Sequence, residues 1–65
     1  MEITINGERK RIDPASVLGL LQELGIDPRR VAVELNREIL PKDRYAGTPL
    51  GAGDSLEIVH FVGGG

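Results

Sequence analysis

Only one stretch of this chain carries a helical apolar period: Val17, Leu20, Leu21 and Leu24 recur at i, i+3, i+4 and i+7. A single helix cannot bury its own stripe, and every other apolar run reads as a strand. The stripe must therefore be covered by a sheet, which makes the chain a two-layer α+β domain with its helix on one face. Ser16 stands where an N-cap belongs, and Gly25 where a C′ glycine ends a helix. Gly19 interrupts the stripe's propensity at a cost of about 1 kcal/mol relative to alanine, and its lack of a side chain suggests close approach to the sheet.

The strands follow from period and punctuation. Glu2-Ile3-Thr4-Ile5 alternates polar and apolar, and Asn6-Gly7 is the strongest short signal for a two-residue type I′ hairpin. The return strand spans residues 8–12. Its Arg9-Lys10-Arg11 run reads as a solvated face whose charges discourage edge pairing, rather than as a phosphate site. Asp13-Pro14-Ala15 breaks that strand, and Asp27-Pro28-Arg29-Arg30 is a connection with two solvated arginines. Val31–Leu35 is a third strand and Glu38–Leu40 a short fourth one across an Asn36-Arg37 turn. Residues 42–47 form a helical turn whose Tyr45 covers one end of the core. Gly51-Ala52-Gly53-Asp54-Ser55 turns the chain into a last apolar run, Leu56-Glu57-Ile58-Val59-His60-Phe61-Val62. No GxGxxG or P-loop pattern is present and no helix follows that turn, so it is structural rather than a phosphate cradle. The first and last strands, both strongly apolar, are expected as neighbours, with polar strand two at an edge.

Composition narrows the function classes. At 65 residues the chain is one domain near the lower limit for folding unaided, burying about 60% of its unfolded surface. With no cysteine it has neither disulfides nor thiolate metal sites, which suits the cytoplasm. A lone His60 builds no metal site. A net charge of −2 points to no nucleic-acid partner, and the apolar runs fall far short of the roughly 20 residues that cross a bilayer. Met1 opens a strand-like segment rather than a signal peptide. No nucleophile–base pair is evident, so an enzyme acting alone is not expected.

The remaining feature is Gly63-Gly64-Gly65. Residues 1–62 make the expected domain and 63–65 a flexible tail ending in a carboxylate. Glycines can thread a narrow channel because they lack a Cβ. A frayed end is the plainer reading of glycines alone.

The whole pattern changes that balance. The strand Ile3-Thr4-Ile5-Asn6-Gly7, the helix Ser16-Val17-Leu18-Gly19-Leu20-Leu21, the segment Val33-Glu34-Leu35-Asn36-Arg37-Glu38-Ile39-Leu40-Pro41, Tyr45, Gly53-Asp54-Ser55-Leu56-Glu57-Ile58 and the terminal Gly64-Gly65 together resemble the thiamine-biosynthesis sulfur carrier family. The resemblance implies a ubiquitin-like β-grasp fold, a mixed sheet of about five strands packed on one helix. It implies a protein cosubstrate rather than an enzyme, with no cofactor bound. An E1-like adenylating enzyme would use ATP to activate the Gly65 carboxylate, a sulfur donor such as a cysteine desulfurase would leave a thiocarboxylate, and thiazole synthase would take the sulfur. Gly64 would be the slim neighbour that passes the activating channel, and Gly63 would add reach.

Two relatives share part of this chemistry. A ubiquitin-like modifier is less suited, because uncharged Phe61-Val62 precedes the glycines and Lys10 and Lys42 are the only lysines. The molybdopterin synthase small subunit is usually longer. A ligand-binding β-grasp module without covalent chemistry is the alternative of a different class. Strand period adds a docking surface: if Leu56 and Ile58 face the helix, then Glu57, Val59 and Phe61 face the uncovered side and form a partner patch beside the tail. Alternatively, Phe61 folds over the sheet edge and completes the core.

Overall fold

The computed structural model describes residues 1–62, so the glycine tail expected at 63–65, and with it Gly63, Gly64 and Gly65, lies outside the described residues. In chain order the elements are β1 (Glu2–Ile5), β2 (Glu8–Arg11), α1 (Val17–Glu23), a 3-10 turn (Pro28–Arg30), β3 (Val31–Leu35), β4 (Glu38–Leu40), a second 3-10 turn (Lys42–Arg44) and β5 (Ser55–His60). The sheet runs β2-β1-β5-β3-β4. Strand β5 lies parallel to β1 and antiparallel to β3, so the last strand enters between two hairpins. Polar β2 is at an edge, where its four exposed residues leave little apolar surface for another strand to template on.

Both hairpins are built on two-residue turns with positive φ at each position. Asn6 and Gly7 adopt φ of 50° and 82°, and Asn36 and Arg37 adopt 52° and 71°. The mirror-image turn matches the right-handed twist of the flanking strands. Asparagine tolerates that region well, whereas Arg37 carries a side chain where glycine is preferred. The register pairs Ile5 with Glu8 in the first hairpin and Leu35 with Glu38 in the second.

Helix α1 starts as the sequence requires. The Ser16 hydroxyl accepts a bond from the Gly19 amide at 3.0 Å. Two further unpaired donors of the first turn are satisfied by the distant loop that follows the second 3-10 turn: Val17 N donates to Thr48 O, and Leu18 N to Tyr45 O, each at 3.0 Å. Gly25, at φ 73°, follows the helix end. Val17, Leu20 and Leu21 are completely buried against Ile3, Val33, Leu56 and Ile58 of the sheet's inner face. Tyr45 closes one end of this aliphatic core, as expected, and its hydroxyl donates to Val31 O at 3.3 Å. No charged or polar residue is buried among the described residues.

Three details differ from the sequence reading. Leu24, the fourth member of the stripe, is the C-cap and 40% exposed, so the stripe that reaches the core is three residues long. The close approach at Gly19 is not to the sheet. A Cβ there would lie 3.3 Å from Ser16 Oγ and 3.6 Å from Pro14 Cβ, because the capping hydroxyl folds back over its own first turn. Finally, β2 ends at Arg11 and β5 at His60, one and two residues short of the expected runs. Ile12 turns into the core instead, its amide held by Met1 O at 2.8 Å.

Candidate functional site

Strand β5 precedes the glycine segment in the sequence, with Phe61 and Val62 between them. Its backbone is gripped on both flanks. The Asn6 carboxamide continues the β1 ladder beyond its last residue: Oδ1 accepts from Ile58 N at 2.7 Å and Nδ2 donates to Ile58 O at 3.1 Å. On the other flank Asn36 Oδ1 accepts from Ser55 N at 2.9 Å, while its Nδ2 donates to Asp54 Oδ1 at 3.1 Å. Each asparagine therefore shapes its own turn and clamps the central strand. Sequence reasoning saw only the first role. A turn signal contains no information about what the side chain meets across the sheet.

The two faces of β5 separate cleanly. Leu56 and Ile58 are buried under α1, whereas Glu57 and Val59 point to the helix-free side. Val59 is 57% exposed and Phe61, just past the strand, 56%, so Phe61 does not complete the core. Register adds neighbours that the sequence reading did not include. Ala32 stands opposite Val59, Glu34 opposite Glu57, and Ile39 opposite Glu34. Ile39 is 79% exposed, the consequence of Leu40 facing inward at the next position. Alternation within β4 could have revealed it, had the register of so short a strand been fixed. Glu34 and Glu57 form a like-charge cross-strand pair, an arrangement that destabilises a sheet. Neither makes an ion pair among the described residues.

At the root of the glycine segment, three contacts converge. Phe61 N donates to Arg30 O at 2.9 Å, extending the β5–β3 ladder past the strand end. Lys42 Nζ lies 4.8 Å from the centre of the Phe61 ring and donates to Arg29 O at 2.7 Å. Nearby, Asp27 accepts from the Arg29 backbone at 2.9 Å and side chain at 3.0 and 3.2 Å. The Arg29 hydrogen bonds hold that carboxyl down at about 2. No cluster of three metal-ligating side chains occurs among the described residues, and none of their helices is long and apolar enough to cross a membrane.

One helix held against a five-stranded mixed sheet, with the first and last strands parallel and adjacent, defines a ubiquitin-like β-grasp protein. The same architecture is found in the thiamine biosynthesis protein (ThiS) of Geobacter metallireducens, whose crystal structure aligns over 100% of both chains with a TM-score of 0.85 and 36% identity. The chain belongs to the ThiS family, whose model matches residues 3–65. Among curated relatives, the sulfur carrier protein ThiS of Bacillus subtilis is 38% identical, with 97% of this chain aligned to 98% of that one. A thiazole synthase of Paramagnetospirillum magneticum is 52% identical across all of this chain, and one of Magnetococcus marinus 41%. The chain spans 20% of the length of each of these two thiazole synthases.

Proposed function

We propose that this protein is a sulfur carrier for the thiazole part of thiamine, acting as a cosubstrate in the cytoplasm rather than as an enzyme. The carboxylate of Gly65 attacks the α-phosphorus of ATP on an E1-like activating enzyme, releasing pyrophosphate and leaving an acyl adenylate. This step is needed because a carboxylate is a poor electrophile and AMP is a good leaving group. Sulfur supplied by a donor such as a cysteine desulfurase displaces AMP, and the resulting thiocarboxylate is a soft nucleophile that thiazole synthase consumes. The carrier itself holds no cofactor. Gly64 and Gly63 thread the activating channel.

The observation that carries this reading is the family match, which continues through the glycine segment to residue 65. The partner assignment is supported by the two relatives in which a homologous stretch makes up one fifth of a thiazole synthase. Glu57, Val59 and Phe61, joined by Ala32, Glu34 and Ile39, form the partner face. Slim glycines provide little binding energy, so the folded head must provide it. The opposed Glu34–Glu57 pair favours a partner with a cation at that position, since binding would relieve their repulsion.

The test is sulfur loading. Incubated with an activating enzyme, ATP and a sulfur donor, the intact protein gains the mass of sulfur less that of oxygen, localised to Gly65. Removing Gly65 abolishes the gain while the circular dichroism spectrum is retained. Loading that persists in the shortened chain refutes the assignment, and isopeptide conjugates in place of a thiocarboxylate would identify a modifier.

A further inference from the structure

The contacts at the root of the glycine segment have a role that chain connectivity alone does not explain. Lys42 is fixed from below. Its 3-10 turn runs into Tyr45, which is buried, bonded to Val31 O through its hydroxyl and to Leu18 N through its carbonyl. From that platform Nζ reaches Arg29 O at 2.7 Å and the Phe61 ring face at 4.8 Å. The ammonium thus joins the turn before β3 to the residue after β5, while the Phe61 amide is bonded to the adjacent Arg30 O. Val62, next in the chain, is 96% exposed. Phe61 is therefore the last described residue with a backbone hydrogen bond to the fold, and it is held from two sides.

We propose that Lys42 is a positioning residue for the reacting end, fixing Phe61 as the point from which the glycine segment departs. The proposal rests on the sulfur-carrier reading for its consequence, although the clamp itself does not. From Phe61 to Gly65 there are four residues, able to span at most about 14 Å. If Phe61 is released, the next ties lie in β5 itself and the departing segment lengthens. A longer tether samples a larger volume and lowers the effective concentration of the carboxylate at a partner's reaction centre. A lysine does this without filling the path of the chain, because its contact is with the flat face of a ring.

The experiment compares Lys42→Met, Lys42→Arg and Phe61→Leu with the natural protein. Methionine keeps an unbranched apolar stem of nearly the same length and removes both the cation and the donor to Arg29 O. Arginine keeps both the cation and a donor. Amide hydrogen exchange at Phe61 and the ring-current shift of the Lys42 ε-protons report the clamp directly. Removing an exposed cation–π contact should speed Phe61 exchange about two- to fivefold, with arginine restoring most of the protection. With an activating enzyme, Lys42→Met should lower the rate of thiocarboxylate formation at saturating carrier by a similar factor and leave KM nearly unchanged, and Lys42→Arg should recover it. A lysine that served only as a docking contact would instead raise KM. Unchanged Phe61 exchange in Lys42→Met overturns the clamp. Faster exchange with wild-type loading overturns its positioning role. If the natural protein itself never loads sulfur, it is the carrier reading that fails, and the exchange data still decide whether Lys42 holds Phe61.

Discussion

Truncating Phe61 separates a docking face from a core in one measurement. A little under half of its surface is covered. Full burial of a phenylalanine side chain is worth about 1.5–3 kcal/mol, so the covered part contributes about 1 kcal/mol. The Lys42 contact adds about 0.5–1 kcal/mol. Phe61→Ala should therefore destabilise by about 1–2 kcal/mol in urea unfolding, with an unchanged m-value. Val59→Ala, at similar exposure and without a cation, should cost less. Leu56→Ala, at a fully buried position of the same strand, is the internal standard and should cost about 2–5 kcal/mol. Binding should rank them differently. If Phe61 anchors a partner, its loss weakens the complex with thiazole synthase or the activating enzyme by about 2 kcal/mol, roughly thirtyfold. Leu56→Ala, measured under conditions where it is folded, should bind almost normally. A Phe61→Ala loss of stability in the range of about 3–5 kcal/mol expected for a buried phenylalanine, or unweakened binding, would refute the argument.

Three further outcomes follow from the same geometry. Gly64→Val should unfold at the natural midpoint yet fail to be adenylated, because a β-branched side chain restricts the backbone and widens it, while Gly63→Ala should be milder; equal loss at both positions in a pyrophosphate-release assay would contradict the separate roles given to them. Asn6→Asp keeps the turn but removes the donor to Ile58 O, and should destabilise by about 1–3 kcal/mol at neutral pH, with the loss shrinking in acid as the carboxyl gains a proton able to donate; pH-independent unfolding would contradict it. The Asp27 carboxyl should titrate near 2 by carbon NMR, below its ordinary 3.8. Because its folded value is depressed, the stability it contributes is present above the ordinary value and lost as pH falls from there through about 2. In Arg29→Ala the titration should return upward.

The order of strands, both hairpin turns, the N-cap and the C′ glycine were legible because each rests on local backbone chemistry that a few adjacent residues specify. The two-sided character of β5 was legible for the same reason: period two assigns Leu56 and Ile58 to one face and Glu57 and Val59 to the other. What could not be read was whatever depends on register between distant segments. Ile39, Ala32 and Glu34 join the exposed face only once β4, β3 and β5 are aligned. The second roles of Asn6 and Asn36 needed the same alignment, as did the meeting of Lys42 with Phe61. Gly19 shows the converse error. A missing side chain in a helix suggested contact with the sheet, but the atom that occupies its space belongs to the helix's own cap.

Strand β5 is last among the described elements in sequence and central in space. Without it the sheet falls into two separate hairpins, β2-β1 and β3-β4, and two-stranded hairpins are marginal in water. During synthesis, then, the domain cannot close until its final strand has left the ribosome. A product that terminates before Ser55 has no middle to its sheet and leaves the helix stripe uncovered, which exposes it to proteolysis. Folding is thereby coupled to the synthesis of β5, the one strand that joins the two hairpins into a sheet.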